Sequence, residues 1–459
     1  MRDVNDPGYG WDEPVDRRTL LGRAVVAGGA LAAGGLLAGR ATAAPTASAV
    51  NDLIFLSAQF TPIQEAEAVR KYMLSGFPSK VDFVAPSSTG GETEVVNRIL
   101  AESKTGQGKV DLLGGLHGLF VSLQGEGLLT DISDVTKDFT KGKTAIPKNL
   151  LDLGKLGTRQ QLYIPWAQAT YVIVANKKVL PYLPKGANPN KLTYGQFAQW
   201  AKTISEKEGR PRLGMPASPT GLIHRFFQGY LVPSFTGAYV TKFKSKEAIA
   251  GWNYMRNLWR FVHPQSLSYG FMQDPLLSGE VLLAWEHVAR LKNALEARPN
   301  DFGVYPAPKG PKGRGYMPVL AGLAIPKSSP HKADAKLLIR QLLSLPVQAR
   351  MLSSTGFFPV VGGRLSKQIS AGLRLESNAV KLQQQATDSL PALLPVGIGA
   401  EGGNFNTIYR DTFNAIVLNA ENPEKVLAEQ GAKLQAIFDK TNAPCWAPDP
   451  RGSGPCRVG

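Results

Sequence analysis

Asp52-Leu53-Ile54-Phe55-Leu56-Ser57, then Ala66, Val69, Met73 and Leu74 at helical spacing within 63–74, then Lys80-Val81-Asp82-Phe83-Val84-Ala85: this run decides the fold class. A short apolar run bounded by polar residues reads as a buried strand, and apolar positions three and four apart read as one face of a helix. The alternation then repeats. Residues 92–102 place Val95, Val96, Ile99 and Leu100 on one helical face, and Val110-Asp111-Leu112-Leu113 forms a third strand. A β-α-β-α-β order predicts an α/β fold with a mostly parallel sheet covered by helices. Ligands of such sheets sit beyond the carboxyl ends of the strands, here near 57–61, 87–92 and 114–120.

Working outward, a second α/β region follows. It comprises the strand Tyr171-Val172-Ile173-Val174-Ala175, helices over 194–206 and 245–261, and the strand Val281-Leu282-Leu283-Ala284-Trp285. Strands return at Asp301-Phe302-Gly303-Val304-Tyr305 and Gly322-Leu323-Ala324-Ile325-Pro326, ahead of a helix over 333–345, and the last strong helix covers 423–440. The chain reads as leaving a first lobe, building a second, returning and leaving again. No internal repeat is visible.

Upstream of the first strand stand Asp16-Arg17-Arg18-Thr19-Leu20-Leu21-Gly22, the uncharged stretch Ala24 to Gly39, and Ala41-Thr42-Ala43. Polar start, paired arginines, apolar core and small-residue site in that order predict a twin-arginine export signal over residues 1–43, cleaved after Ala43. The apolar core is 16 residues long, short of the roughly 20 that span a bilayer. No Cys lies near the cleavage site to accept a lipid. The protein is therefore expected outside the cytoplasm, periplasmic or associated with the cell envelope.

The formal net charge is +16. Five Arg and five acidic residues fall within 1–43, so the remaining 416 residues keep the whole excess. The basic residues are scattered, without the aromatic-studded basic strand of a nucleic-acid reader, so the charge reads either as a solvated basic surface or as weak contact with anionic membrane or wall polymers. Cys445 and Cys456, the only cysteines, lie in a Pro- and Gly-rich tail over 441–459; in an oxidising compartment they are expected to bridge.

Enzyme signatures fail. There is no His-Glu-x-x-His, no Gly-x-Ser-x-Gly, and no Gly-x-Gly-x-x-Gly after the first strand. Gly142-Lys143-Thr144 lacks the leading Gly of a phosphate loop, since Lys137 stands there, and five His far apart give no metal signature. What remains is a set of aromatic and polar residues at expected strand ends: Trp166, Gln168 and Tyr171 at the first crossing between lobes, and Trp285-Glu286-His287 closing the last strand of the second lobe. Aromatic faces stack on sugar C–H faces while carboxylates and amides bind hydroxyls, so the mixture suits a polyol. For each Trp a core reading stands beside this one, and lone His117 reads more readily as a structural histidine than as a ligand.

The order of segments resembles the family 1 extracellular solute-binding proteins of ABC importers, across roughly 50–440. It is carried by Val110-Asp111-Leu112-Leu113 through Gly127-Leu128-Leu129-Thr130-Asp131-Ile132, by Leu162-Tyr163-Ile164-Pro165-Trp166 with Val174-Ala175-Asn176-Lys177-Lys178, and by Leu192-Thr193-Tyr194-Gly195-Gln196-Phe197. Further pieces are Ser278-Gly279-Glu280-Val281, Tyr305-Pro306-Ala307-Pro308, Gly322 to Pro326, and Gly356-Phe357-Phe358-Pro359. The resemblance implies a type II, two-lobe periplasmic-binding-protein-like fold, with discontinuous lobes at 50–165 with 301–345 and at 166–300 with 346–440. It also implies a non-enzymatic, cofactor-free monomer that closes about a hinge on a carbohydrate and docks on ABC permease subunits. Gln59, Thr89, Gly90, Glu92 and His117 would face the cleft from the first lobe, and Trp166, Gln168, Thr220, Trp285 and Glu286 from the second or the hinge. Maltodextrin relatives contact sugar near His117, but their following acidic and basic pair is Gly118-Leu119 here. Alternative readings are a receptor for a charged solute, either a glycerophosphodiester drawn by the basic field or a polyamine, and an exported hydrolase.

Overall fold

The structure, a computed structural model, describes residues 50–60, 62–86, 91–362, 369–450, 452 and 454–459. The export signal, Thr89 and Gly90 lie outside the described residues. The chain forms an α/β fold of two lobes, each built on one sheet.

The first sheet joins β1 (Leu53–Ser57), β2 (Val81–Val84), β3 (Leu112–Leu116), β4 (Ile164–Ala169), β10 (Val319–Ala324) and β11 (Phe358–Pro359) in the order β11-β4-β10-β3-β1-β2. β1 is parallel to β2 and β3, as the opening run predicts, but the sheet is mixed rather than mostly parallel, because β10 returns antiparallel to β3 and β4 and β11 antiparallel to β4. Helices cover both faces, so β1 is buried on both and reads as a continuous apolar run rather than an alternating one. Asp111 ties the pieces of this lobe: its carboxylate accepts from the Ile54 N–H at 2.9 Å and from the Ser329 hydroxyl at 3.2 Å.

The second sheet takes β5 (Tyr171–Asn176), β6 (Leu213–Gly214), β7 (Leu283–His287) and β8 (Phe302–Tyr305) in the order β6-β7-β5-β8. A small parallel pair, β9 (Arg314–Tyr316) with β12 (Ser389–Pro391), lies beside the crossings.

The sheets shift the lobe limits expected from sequence. β4 runs to Ala169 in the first sheet, so the first crossing is at Thr170, not after Pro165. β8 pairs with β5, so 302–305 belongs to the second lobe and the return crossing is 306–318. The helix Leu345–Thr355 packs on first-lobe segments and β11 pairs with β4, which extends the first lobe to 359. Hydrogen bonding explains the position of the first crossing. The Thr170 hydroxyl donates to the Met317 carbonyl at 2.9 Å, joining both crossings, and accepts from the Gln383 amide at 3.2 Å.

A column of rings runs from one lobe into the other. Trp166 packs on Phe55 and Phe60, Phe60 on Phe357, Phe357 on His287, His287 on Tyr171, and Tyr171 on Trp285. Behind the second lobe, Cys445 and Cys456 form a disulfide. Among the described residues no helix is long and apolar enough to cross a membrane.

Candidate functional site

A cavity of about 310 Å³ opens between the lobes. The first lobe supplies Ala58, Gln59, Glu92, Val96, Leu116, Gly118, Leu119 and Ser122; the second supplies Arg225, Leu394, Pro395, Ile398, Gly399 and Asn406. Strand ends and helix starts place the first-lobe residues where the parallel topology requires.

Gln59 follows the end of β1. The Ser57 hydroxyl accepts from the Gln59 N–H at 3.1 Å and donates to its carbonyl at 2.9 Å. The next residue, Phe60, has φ of 60°, the left-handed region that costs a non-glycine residue. This turn sends Phe60 into the ring column and leaves Gln59 at the cavity.

Glu92 sits in the first turn of the helix Gly91–Thr105, where a carboxylate meets the positive end of the helix dipole. Its Oε1 accepts from the Leu116 N–H at 3.3 Å. Burial nevertheless pushes its pKa up to about 7, against the opposing pull of Arg225 and that N–H. Arg225 faces it from the other lobe and donates to Gln228 Oε1 at 2.9 Å; Gln228 in turn donates to Asn406 Oδ1 at 3.1 Å. Glu92 and Arg225 are the charged groups among the described lining residues, one from each lobe.

The walls touch at Gly118. A Cβ there would lie 2.1 Å from the Pro395 carbonyl oxygen, so this approach of the two backbones is open only to glycine.

The other residues expected from sequence go elsewhere. His117 begins the helix His117–Gly125, its Nδ1 2.8 Å from the Tyr163 hydroxyl and its ring edge-on to that phenol. Burial lowers its pKa to about 4 and keeps the ring neutral, which fits a structural histidine. Trp166 is fully buried in the first lobe, and Gln168, on the same strand, donates to the Pro359 carbonyl at 2.8 Å, closing β4 onto β11. Thr220 is exposed, 3.2 Å from the Ser218 hydroxyl and away from the cavity.

Trp285 and Glu286 are fully buried because β7 continues two residues beyond the expected strand end, to His287. Glu286 accepts from the N–H groups of Met272 at 2.9 Å and His287 at 2.6 Å, and burial raises its pKa to about 7. Of the ten residues expected at the cleft, eight are described, and of these Gln59 and Glu92 line the cavity.

Arg225, Asn406 and the wall at Leu394–Gly399 were missed. Sequence signals existed. Arg225 is a lone cation in the apolar run Ile223-His224-Arg225-Phe226-Phe227, and glycines crowd Gly397-Ile398-Gly399-Ala400-Glu401-Gly402-Gly403.

Solved structures show the same architecture. The GacH receptor of Streptomyces glaucescens GLA.O, solved unliganded and with acarbose, is 15% identical, with 84% of this chain and 98% of that one covered at a TM-score of 0.64. UgpB from Mycobacterium tuberculosis, in complex with glycerophosphocholine, is 20% identical over 85% and 99% of the two chains at 0.65. Maltose-bound MalE3 of T. maritima is 17% identical over 84% and 99% at 0.67. A search of curated proteins finds no match. The family model of bacterial extracellular solute-binding proteins matches residues 78–349, more than half of the chain, and the chain belongs to that family.

Proposed function

We propose that this protein is an exported receptor that takes a sugar or short oligosaccharide between its lobes and presents the closed form to the transmembrane subunits of an ABC permease. The observation that carries the reading is the cavity of about 310 Å³ with walls from both lobes. A ligand that touches both walls favours the closed form by the difference in its affinity for the two states. The volume lies at the lower end of the about 300–1,000 Å³ usual for small-molecule sites. Its lining alternates apolar surface at Val96, Leu116, Leu119 and Ile398 with polar groups at Gln59, Glu92, Ser122 and Asn406. That mixture meets the C–H faces and hydroxyls of a sugar, in line with the maltose and acarbose held by similar folds. The receptor works as a monomer, without catalysis or cofactor, after cleavage of its signal behind Ala43.

A second reading is favoured by Arg225. A guanidinium in the cavity, opposite an acid whose charge burial disfavours, leaves the site net positive. This suits a glycerophosphodiester, and the glycerophosphocholine complex of UgpB supports it. A polyamine is disfavoured by the same residue.

The test is a thermal-shift screen against mono- and oligosaccharides, glycerophosphodiesters and polyamines. A ligand that binds only the folded state stabilises it by RT ln(1 + [L]/Kd), about 2.7 kcal/mol at a hundred times Kd. A sugar hit is the expected result; a shift with glycerophosphodiesters alone replaces it with the second reading.

A further inference from the structure

The cavity wall at 393–398 belongs to no helix or strand, so its place is set by what packs behind it. What packs behind it is the tail. The Leu393 N–H donates to the Ala447 carbonyl at 2.9 Å, and the Leu393 carbonyl accepts from the Tyr239 hydroxyl at 2.8 Å. The next two residues, Leu394 and Pro395, line the cavity. A Cβ on Gly397 would lie 3.6 Å from the Ala443 Cβ, so the turn ahead of Ile398 and Gly399 also rests on the tail.

Trp446 is buried between the rings of Tyr239, Phe405 and Phe438, and its indole N–H donates to the Tyr239 hydroxyl. Phe405 precedes the cavity residue Asn406.

The tail is itself fastened. Buried Asp449 accepts from the N–H groups of Tyr239 at 3.0 Å, Val240 at 3.1 Å and Thr241 at 2.6 Å, and from the Thr241 hydroxyl at 2.7 Å. Charge-assisted bonds of this kind are stronger than neutral ones. The disulfide closes the loop, and the Cys456 N–H donates to the Ala443 carbonyl at 2.8 Å across its neck. Beyond it, the Val458 N–H donates to Gln435 Oε1 at 2.9 Å.

We propose that the disulfide-closed tail sets the position of the second-lobe cavity wall, with Trp446, Ala447 and Asp449 as positioning residues for ligand binding. The proposal rests on the cleft reading above. The tail touches none of the cavity itself; it holds Leu394, Pro395 and Ile398 at the distance from which they meet the first lobe. Ligand affinity thereby depends on the oxidation state of Cys445 and Cys456, far along the chain from most of the site.

The test uses the whole protein in four forms: wild type, wild type reduced, Asp449→Asn, and Trp446→Leu. Amide hydrogen exchange is read by mass spectrometry, together with the Kd for maltose and for glycerophosphocholine. Expected is exchange about tenfold faster at 393–399 and 402–406, unchanged exchange at 112–125 in the first lobe, and a Kd about tenfold weaker. Asp449→Asn keeps the test alive where Trp446→Leu fails to fold. Unchanged wall amides beside a freely exchanging tail overturn the proposal, as does a uniform acceleration in both lobes, which marks general destabilisation. If wild type binds neither probe, these two compounds are not its ligands, and the exchange pattern by itself decides whether the tail positions the wall.

Discussion

The indole of Trp285 lies flat on the ring of Tyr171, with centroids 4.5 Å apart and planes 3° apart, while Phe226 and Tyr230 meet it edge-on. A fully buried indole packed this way has no face to offer a sugar. Its contribution is to the core of the second lobe. Trp285→Ala should therefore destabilise folding by about 3–5 kcal/mol, as large aromatic truncations in cores do. Urea denaturation measures this, and a variant as stable as wild type would return Trp285 to the list of ligand contacts.

The opening alternation of strands and helices was legible because burial on both faces of a parallel sheet writes a continuous apolar run, and Leu53 to Leu56 is one. The cavity positions of Gln59 and Glu92 follow from the same pattern, since both residues come after strand ends that it locates. Trp285 was misplaced by a register error of two residues. Val281 and Leu282 are as apolar as the strand and blur its start, and the buried His287 that ends β7 carries no apolar mark. Arg225 was not legible as a site residue, because nothing local says that 223–226 packs toward a cleft whose other wall is about 130 residues upstream. The wall at 394–399 follows long-range contacts with the tail rather than any periodicity of its own.

Glu376 should make stability fall with pH. It is fully buried on the helix Ala371–Gln384, and neither carboxyl oxygen has a hydrogen-bond partner among the described residues. Burial, with Glu296 nearby, holds its pKa well above the usual carboxylate range. A folded-state pKa above the unfolded one gives a contribution that is complete below the unfolded value and is lost as pH rises toward the folded one. Glu376→Gln does not titrate. The variant should gain on wild type by about 1–3 kcal/mol between acid and mildly alkaline conditions, with the difference vanishing at low pH. Melting temperatures across a pH series check this, and a pH-independent difference would contradict it.

Arg225 separates the two ligand classes. A guanidinium that meets a phosphodiester in a desolvated cleft makes a charged contact whose truncation costs about 2–5 kcal/mol. Against a neutral sugar hydroxyl the loss is closer to about 1 kcal/mol. Arg225→Leu should thus weaken glycerophosphocholine far more than maltose. Titration calorimetry of both ligands reads the ratio directly. Comparable losses on both would show that the arginine holds the wall through Gln228 and Asn406 rather than recognising charge.

Gly118 is where closure is most exposed to a single methyl group. Its backbone lies against the Pro395 carbonyl, and a Cβ would stand 2.1 Å from that oxygen, too close for any relaxation confined to side chains. The neighbours on both sides are backbone, so relief must come from moving one lobe or the wall that the tail supports. An open form carries no such clash. Gly118→Ala should therefore leave folding stability nearly unchanged while weakening ligand binding by about 1–3 kcal/mol, the usual cost of overpacking. Ser122→Ala, one turn further along the same helix and lining the same cavity, supplies the control for loss of a contact without a clash. Small-angle scattering adds an independent readout: ligand should contract wild type but contract Gly118→Ala less at saturation. Equal affinity and equal contraction in the variant would mean that the approach of Gly118 to Pro395 is no part of the bound state, and the cavity between the lobes would have to close along a different line.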